Sequence, residues 1–132
     1  MPVLDDAIAP DEVDACINRL KTNKAAGVDG VPPDLLKLLN VEWILVITFI
    51  FNAVFLGAYP LQWALAKLFM IFKKGHRLQP CNYRGISIIT ALAKLYDMVL
   101  NARFMLWYSP KPEQAGAQKG RGCEEQILTV RL

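Results

Sequence analysis

The sequence has few residues of the kinds that bind metals or form disulfide bonds. Its 132 residues include one histidine, His76, and three cysteines, Cys16, Cys81 and Cys123. No two cysteines have the Cys-x-x-Cys spacing of zinc sites, and no cysteine has a histidine at metal-ligand spacing. A sparse, odd set of cysteines is typical of reduced thiols, and the acidic segment 1–14 lacks the features of a secretory signal peptide. We therefore expect an intracellular protein, nuclear or cytoplasmic, without a disulfide framework.

Charged residues are also scarce and are unevenly distributed. They make up 20% of the chain, against 54% hydrophobic residues, and this composition excludes an intrinsically disordered protein. Residues 1–66 contain four basic and eight acidic residues, a net charge of −4, whereas residues 67–132 contain eleven basic and four acidic residues, a net charge of +7. A basic half suggests an anionic partner such as nucleic acid or a nucleotide phosphate.

A long segment, 43–66, contains no charged residue at all. Its continuous apolar part, 43–56, is shorter than the roughly 20 residues that a membrane span requires. Asn52 interrupts it, and Gly57 and Pro60 end it. A buried helix of a protein core explains the segment better than a membrane span. A small membrane-associated protein is the least favoured of the alternatives.

The spacing of apolar residues predicts a first helix that begins at Pro10. Acidic residues follow Pro10, and Lys21 and Lys24 suit the other end of the helix. A loop comes next, in which Gly27 and Gly30 are expected to allow positive φ. The apolar residues of the helix recur at i, i+3, i+4 and i+7, and they are Val13, Cys16, Ile17 and Leu20.

The rest of the chain alternates between apolar runs and turn residues. We predict a short helix at 33–39, a long helix at 41–56 and a helix capped by Thr90 at 91–108. The short apolar runs 66–74 and 83–89 predict two strands paired as an antiparallel hairpin. The fold class is therefore α/β (α+β), mostly helical with a two-stranded antiparallel hairpin. A last helix is predicted from Cys123, and the chain stops within its apolar pattern, as expected of a fragment.

The predicted hairpin concentrates positive charge around its connecting loop. Five potentially cationic residues lie within twelve positions, namely Lys73, Lys74, His76, Arg77 and Arg84. Lysine and arginine beside apolar strands can serve simply as solvated gatekeepers against aggregation. A planar guanidinium is also suited to phosphate oxygens, and a lysine is a compact point charge. Arg84, between Tyr83 and Gly85 at the start of a strand, is the strongest candidate for phosphate binding, with a structural ion pair as the alternative.

Four motifs, in order, make the chain resemble a known family. They are NKAAGVDGVPPDLLK, FNAVFLGAYPLQWALAKLFMIFKKG, NYRGISIITALAKLYDMVLNARF and EQAGAQKGRGCEEQILTVRL. The order and spacing resemble the beginning of the reverse transcriptase domain of LINE-like, non-LTR retrotransposons. The resemblance covers about residues 11–132, with 1–10 as a lead-in. It implies a partial reverse transcriptase domain over 1–132, consisting of the fingers and the start of the palm.

The resemblance implies roles for five cationic residues. Lys73 or Lys74, together with Arg84, would face the incoming deoxynucleotide triphosphate or the template. Lys119 and Arg121 would contact phosphates of the template strand. The expected partners are an RNA template, a DNA primer, a deoxynucleotide triphosphate and the palm and thumb that follow in a full-length polymerase. Asn82 and Ser87 are weaker candidates, since both residue types also serve turns and strand ends.

The same resemblance implies that this chain alone is inactive. Members of the family carry their metal-binding aspartates beyond the point where this sequence ends, so Mg²⁺ is expected for the complete domain and no catalytic or metal-ligating residue is expected here. The chain also departs from the family at Ala117, where an aromatic residue is usual, and at the Glu124–Glu125 pair, where one acid is usual. The alternative is a domesticated or degenerate remnant that acts as a non-enzymatic nucleic-acid or protein binding module.

Several other residues have plain structural interpretations. Asp29 is expected to hydrogen-bond its own turn, and His76 to be an exposed loop residue without a catalytic role. Arg103 falls on the apolar face of its predicted helix, where a salt bridge or snorkelling explains it better than ligand binding. The three tryptophans are expected to anchor the core, and they are Trp43, Trp63 and Trp107.

Overall fold

The computed structural model describes residues 2–111 and residues 114, 116, 120 and 127. The described part is a mixed helical and β structure. Its elements are α1 (Pro2–Asp5), α2 (Pro10–Arg19), α3 (Pro33–Leu36), α4 (Val41–Phe55), β1 (Lys67–Phe72), β2 (Tyr83–Ile88) and α5 (Ala91–Trp107). The predicted fold class is confirmed. The helix predicted from Cys123 and the loop position Ala117 lie outside the described residues, as does the Glu124–Glu125 pair.

Helix α2 begins where its sequence predicts. Pro10 occupies the first turn, and the Glu12 carboxylate accepts a hydrogen bond of 2.8 Å from the backbone N–H of Ala9, which satisfies a free donor at the helix start. The predicted apolar stripe is buried in the core, including Leu20 just after the last turn. The helix ends at Arg19, however, before the two lysines that were predicted to mark its end.

Helix α4 is buried on only one of its faces. Its N-terminus is capped by the Asn40 side chain, which accepts a hydrogen bond of 3.2 Å from Trp43 N–H. The inner face is buried, whereas the outer face exposes large apolar side chains such as Phe49, which is 75% exposed. The prediction of a buried core helix therefore holds for one face alone. None of the described helices combines the length and the apolar character that a membrane span requires.

Asn52, the one amide within this apolar helix, links α4 to the segment before α2. Its side chain accepts a hydrogen bond of 2.7 Å from Ile8 N–H and donates one of 3.0 Å to Ile8 C=O. Ile8 is buried, so its backbone groups would otherwise have to be buried without partners. Asn52 thus provides hydrogen-bond partners for the backbone of an irregular segment that belongs to no helix or strand.

The core lies between α2, α4 and α5, and aromatic rings close it on one side. The Phe51 ring contacts the Tyr96 ring edge-on at 5.2 Å and the Trp63 ring at 6.0 Å. Trp63 is the one tryptophan that packs against the core. The prediction is wrong for Trp43 and Trp107, which are 57% and 53% exposed, because both lie on outer helix faces.

Arg103 is buried in α5 and fastens that helix to α2. Its guanidinium donates to both oxygens of the Glu12 carboxylate, at 3.0 and 2.7 Å. It also donates to the backbone carbonyls of Asp6 and Ala7. Of the two expected explanations, a salt bridge or snorkelling, the structure shows the salt bridge, and every nitrogen of this buried guanidinium has a partner.

The loop between α2 and α3 is shaped by two glycines for different reasons. Gly30 has a φ of +72°, in a turn closed by the Asp29 side chain, which accepts a hydrogen bond of 3.2 Å from Val31 N–H. Gly27 does not adopt positive φ, in contrast to the prediction. It is buried against the junction of β2 and α5, where an added Cβ would lie 2.7 Å from Ile89 C=O oxygen and from Thr90 Cα. Gly27 is required there for close approach of the two backbones.

Helix α5 follows directly from the second strand. The Thr90 hydroxyl oxygen accepts a hydrogen bond of 3.3 Å from Ala93 N–H, which confirms the predicted cap. Leu95, Tyr96 and Val99 are buried on its inner face as predicted. The helix ends at Trp107, one residue earlier than predicted.

Candidate phosphate-binding site on the hairpin

The two strands pair as the predicted antiparallel hairpin. Their register sets Lys67 opposite Ile88, Ile71 opposite Arg84 and Phe72 opposite Tyr83. All six residues of β1 are exposed, so the hairpin stands clear of the helical core and both its faces are accessible. The cationic side chains at its end are therefore free to meet a ligand.

The connecting loop is held by its own hydrogen bonds. The Asn82 side chain donates 2.8 Å to His76 C=O, and the Tyr83 hydroxyl donates 2.9 Å to Arg77 C=O. Gly75, at a φ of +93°, passes so close that an added Cβ would lie 2.7 Å from the Asn82 amide nitrogen. Asn82 therefore serves the loop, which is the plainer of its two expected roles. His76 is an exposed loop residue, as predicted.

The strand register decides which lysine shares a face with Arg84. Residues directly opposite one another in an antiparallel pair project to the same face, and faces alternate along a strand. The ladder extends one step past β1, because Lys73 N–H donates 2.8 Å to Asn82 C=O. Lys73 therefore lies on the same face as Ile71 and its partner Arg84. Lys74 lies beyond the ladder, in the loop.

Arg77 belongs to the opposite face of the hairpin. Its guanidinium lies 5.6 Å from the centre of the Phe72 ring, and the Phe72 and Tyr83 rings meet edge-on at 5.5 Å. This cation–π contact gives Arg77 a structural role on an aromatic face. The five cationic residues of the loop region are thus divided between the two faces and the loop itself.

The three cationic residues predicted to bind phosphate are all exposed to solvent. Lys73, Lys74 and Arg84 form no ion pair with any acidic group in the part of the chain that the structure describes. Nothing within this region therefore supports the alternative of a structural ion pair for Arg84. The two predicted template contacts, Lys119 and Arg121, lie outside the described residues.

A cleft of about 360 Å³ opens at the base of the hairpin, where β2 leads into α5. Its lining includes Ser87, one of the weaker candidates, and two lysines for which the sequence predicts no binding role, Lys24 and Lys94. These lysines are 70 positions apart. Lys24 follows one predicted helix and Lys94 lies within another, and lysines are common at both kinds of position. Only the folded chain brings them together.

The described residues do not fit a magnesium site. Across residues 2–111 and the four isolated described positions, no three histidine, cysteine, aspartate or glutamate side chains come together in a way that could hold a metal ion. Several carboxylates serve the fold: Glu12 pairs with Arg103, Asp14 accepts a hydrogen bond from the Asn18 side chain, Asp29 closes a turn, and Asp34 accepts a hydrogen bond from Asn23 N–H.

Proteins similar to this chain come from transposable elements. The chain is 37% identical over 127 residues to a probable RNA-directed DNA polymerase from transposon X-element of Drosophila melanogaster, covering 92% of this chain and 14% of that protein. It is 32% identical over 126 residues to a probable RNA-directed DNA polymerase from transposon BS of the same species, covering 91% of this chain and 14% of that protein.

A third relative extends the comparison to another species. The chain is 28% identical over 102 residues to the RNA-directed DNA polymerase from mobile element jockey of Drosophila funebris, covering 76% of this chain and 11% of that protein. No family model matches the chain. The chain thus spans 11–14% of the length of these curated relatives.

Proposed function

The chain belongs to the family of RNA-directed DNA polymerases of non-LTR retrotransposons, of which it represents a segment, and we propose that this segment binds the incoming deoxynucleotide triphosphate through its hairpin. Lys73 and Arg84 are the residues that contact the phosphates. The segment corresponds to the fingers and the start of the palm of a polymerase that copies RNA into DNA.

The observation that supports this proposal most strongly is the shared face of Lys73 and Arg84. Two exposed cations project to the same side of the two-stranded ladder, Arg84 from β2 and Lys73 from the step after β1, near the end that carries the connecting loop. The Arg84 guanidinium suits two phosphate oxygens at once, and Lys73 adds a point charge beside it. Phosphoryl transfer depends on such positioning and charge neutralisation.

The proposal assigns the phosphate contact to Lys73 rather than Lys74. Lys73 lies two positions after Ile71 and therefore on the face that carries Arg84. A triphosphate bound on this face contacts Lys73. Lys74 contributes only to the general positive potential of the loop. Arg77, held over the Phe72 ring on the other face, makes no phosphate contact in this arrangement.

Template binding by Lys119 and Arg121 is a second part of the proposal. It is carried over from the resemblance of the segment AQKGRG to the family's template loop. Basic side chains that follow a single strand contribute affinity without sequence preference, and this affinity falls as salt rises.

We propose further that the chain does not synthesise DNA by itself. Two-metal phosphoryl transfer needs carboxylates that converge on the ions, and the described residues offer no such group. When bound, magnesium would supply charge neutralisation at the phosphates. Binding of the triphosphate by the hairpin can be measured in the absence of magnesium.

The proposal is tested by titrating the purified chain with dTTP in a calorimeter. Arg84→Ala is expected to weaken binding by about tenfold or more, because a charge-assisted hydrogen bond is worth roughly 1.5–3 kcal/mol. Arg77→Ala, a matched loss of one guanidinium from the opposite face, is expected to leave the affinity within about twofold. Equal affinities of the wild type and Arg84→Ala, with a lower unfolding temperature of the variant, would assign Arg84 a structural role and overturn the proposal.

A further inference from the structure

The cleft at the base of the hairpin combines an apolar floor with a cationic rim. Its floor is formed by Pro33, Ile88 and Ala91, of which Pro33 and Ala91 are buried. Lys24 and Lys94 form the rim, and both are exposed. No acidic side chain lines the cleft, and neither lysine pairs with a carboxylate among the residues whose structure is described.

A close backbone contact joins the two segments that carry the lysines of the cleft. Lys24 precedes Gly27 by three residues, and Gly27 packs directly on Ile89 and Thr90, immediately before the helix that carries Lys94. Any larger residue at position 27 would push the loop away from the junction, since an added Cβ would lie 2.7 Å from Thr90 Cα. This contact therefore positions the loop that carries Lys24 against the start of α5, the helix that carries Lys94.

The cleft lies at the end of the hairpin remote from the connecting loop, where its lining includes Ser87, Ile88 and Ile89 from successive positions. Ile88 of the cleft floor lies opposite Lys67, and the alternation along β1 brings Lys67, Ile71 and Lys73 to one face. The strand rise of about 3.3 Å per residue puts Lys67 and Lys73 roughly 20 Å apart. Cations thus occur at the tip and at the base of one hairpin face, with the cleft at the basal end.

We propose that this cleft binds one nucleotide of a single-stranded RNA, with its phosphate between Lys24 and Lys94 and its sugar or base against the apolar floor. The inference rests on the proposed function, which makes RNA the expected nucleic acid. An apolar floor suits the uncharged part of a nucleotide, whereas a site for free phosphate would be lined by polar donors. The unpaired lysines supply the electrostatic attraction to the backbone.

The test measures binding of a fluorescein-labelled oligouridylate of about 12 nucleotides to the full chain by fluorescence anisotropy, over a range of salt concentrations. The Lys24→Gln/Lys94→Gln double variant is expected to lose about tenfold or more in affinity at low salt. Its slope of log affinity against log salt is expected to fall by about 1 or more, because phosphate contacts are removed.

A matched control removes the same charge elsewhere. Lys21 and Lys111 are exposed and do not line the cleft. Lys111 comes after the C-terminal end of α5, and this helix is about 25 Å long. The Lys21→Gln/Lys111→Gln variant is expected to keep the wild-type salt slope within about 0.5. The Lys24→Arg/Lys94→Arg variant, which keeps both charges, is expected to restore the wild-type slope.

The outcomes separate this inference from the proposed function. If the cleft variant and its control lose affinity and slope equally, or if the wild type does not bind the RNA, the cleft site is overturned. Binding of dTTP by the cleft variant reports on the hairpin tip independently and is expected to be unchanged. Failure of Arg84→Ala to weaken dTTP binding would overturn the triphosphate site while leaving a measured RNA site at the cleft in place.

Discussion

Arg103 and Glu12 form a two-pronged ion pair across 91 residues of sequence, with the closest nitrogen–oxygen distance at 2.7 Å. Arg103 is 4% exposed and Glu12 is 35% exposed, so the pair is buried on one side and open to solvent on the other. It joins α2 to α5 and, through the carbonyls of Asp6 and Ala7, holds the segment before α2 against the core.

Glu12→Gln is expected to destabilise the chain by about 1–2 kcal/mol. The substitution leaves a buried guanidinium without its counter-charge, but the partly exposed site lets water compensate in part. Urea unfolding followed by circular dichroism measures the change. Asp11→Asn, an adjacent exposed acid in the same helix turn, is expected to cost no more than about 0.5 kcal/mol, and equal effects of the two substitutions would contradict a structural role of the pair.

The stability of the chain is expected to fall at low pH through the same pair. The hydrogen bond from Arg103 holds the pKa of Glu12 below its ordinary value. A carboxyl whose pKa is lowered by folding stabilises the protein fully above its unfolded pKa, about 4.3, and this contribution is lost as the pH falls through the lower folded pKa. The difference in unfolding free energy between the wild type and Glu12→Gln should therefore be constant above about pH 5 and shrink below about pH 4. A difference independent of pH down to about pH 3 would show that the charge of Glu12 does not contribute.

Asn52→Leu is expected to destabilise the chain by about 1–3 kcal/mol despite the apolar surroundings. The change removes both hydrogen bonds to the backbone of Ile8, whose N–H and C=O would be buried without partners. Thermal and urea unfolding measure the loss. Asn101→Leu, at an exposed position of α5, serves as the control and should change stability by no more than about 0.5 kcal/mol. A neutral or stabilising Asn52→Leu would mean that Asn52 is merely a tolerated polar residue.

Much of the fold follows from local signals in the sequence. Pro10 and Thr90 mark the starts of α2 and α5, and Gly75, with its positive φ, lies in the turn that follows β1, because each acts on its immediate backbone neighbours. The exposure of Trp43 and Trp107 could not be predicted, since apolar character does not tell which face of a helix finds a partner. The prediction of positive φ at Gly27 is wrong, because the residue is required instead by its close contact with Ile89 and Thr90, more than 60 residues away.

The candidate site was predicted by residue type but not by geometry. The sequence identifies Arg84 and a lysine pair, yet a shift of one residue in strand register reverses which lysine shares its face. The hydrogen bond from Lys73 N–H to Asn82 C=O resolves that choice. The sequence does not predict that Lys24 and Lys94 line one cleft, because a cleft between distant segments has no local sequence signal.

The most direct test of the central claim is a double-mutant cycle on Lys73 and Arg84, read out as the free energy of dTTP binding. The single variants Lys73→Ala and Arg84→Ala, combined in the double variant, are expected to show a coupling energy of about 0.5 kcal/mol or more, because both side chains contact one triphosphate. The corresponding cycle of Lys74 with Arg84 is expected to be additive. Additive effects of Lys73 and Arg84, or a coupling that belongs to Lys74 instead, would contradict the shared phosphate site on this face of the hairpin.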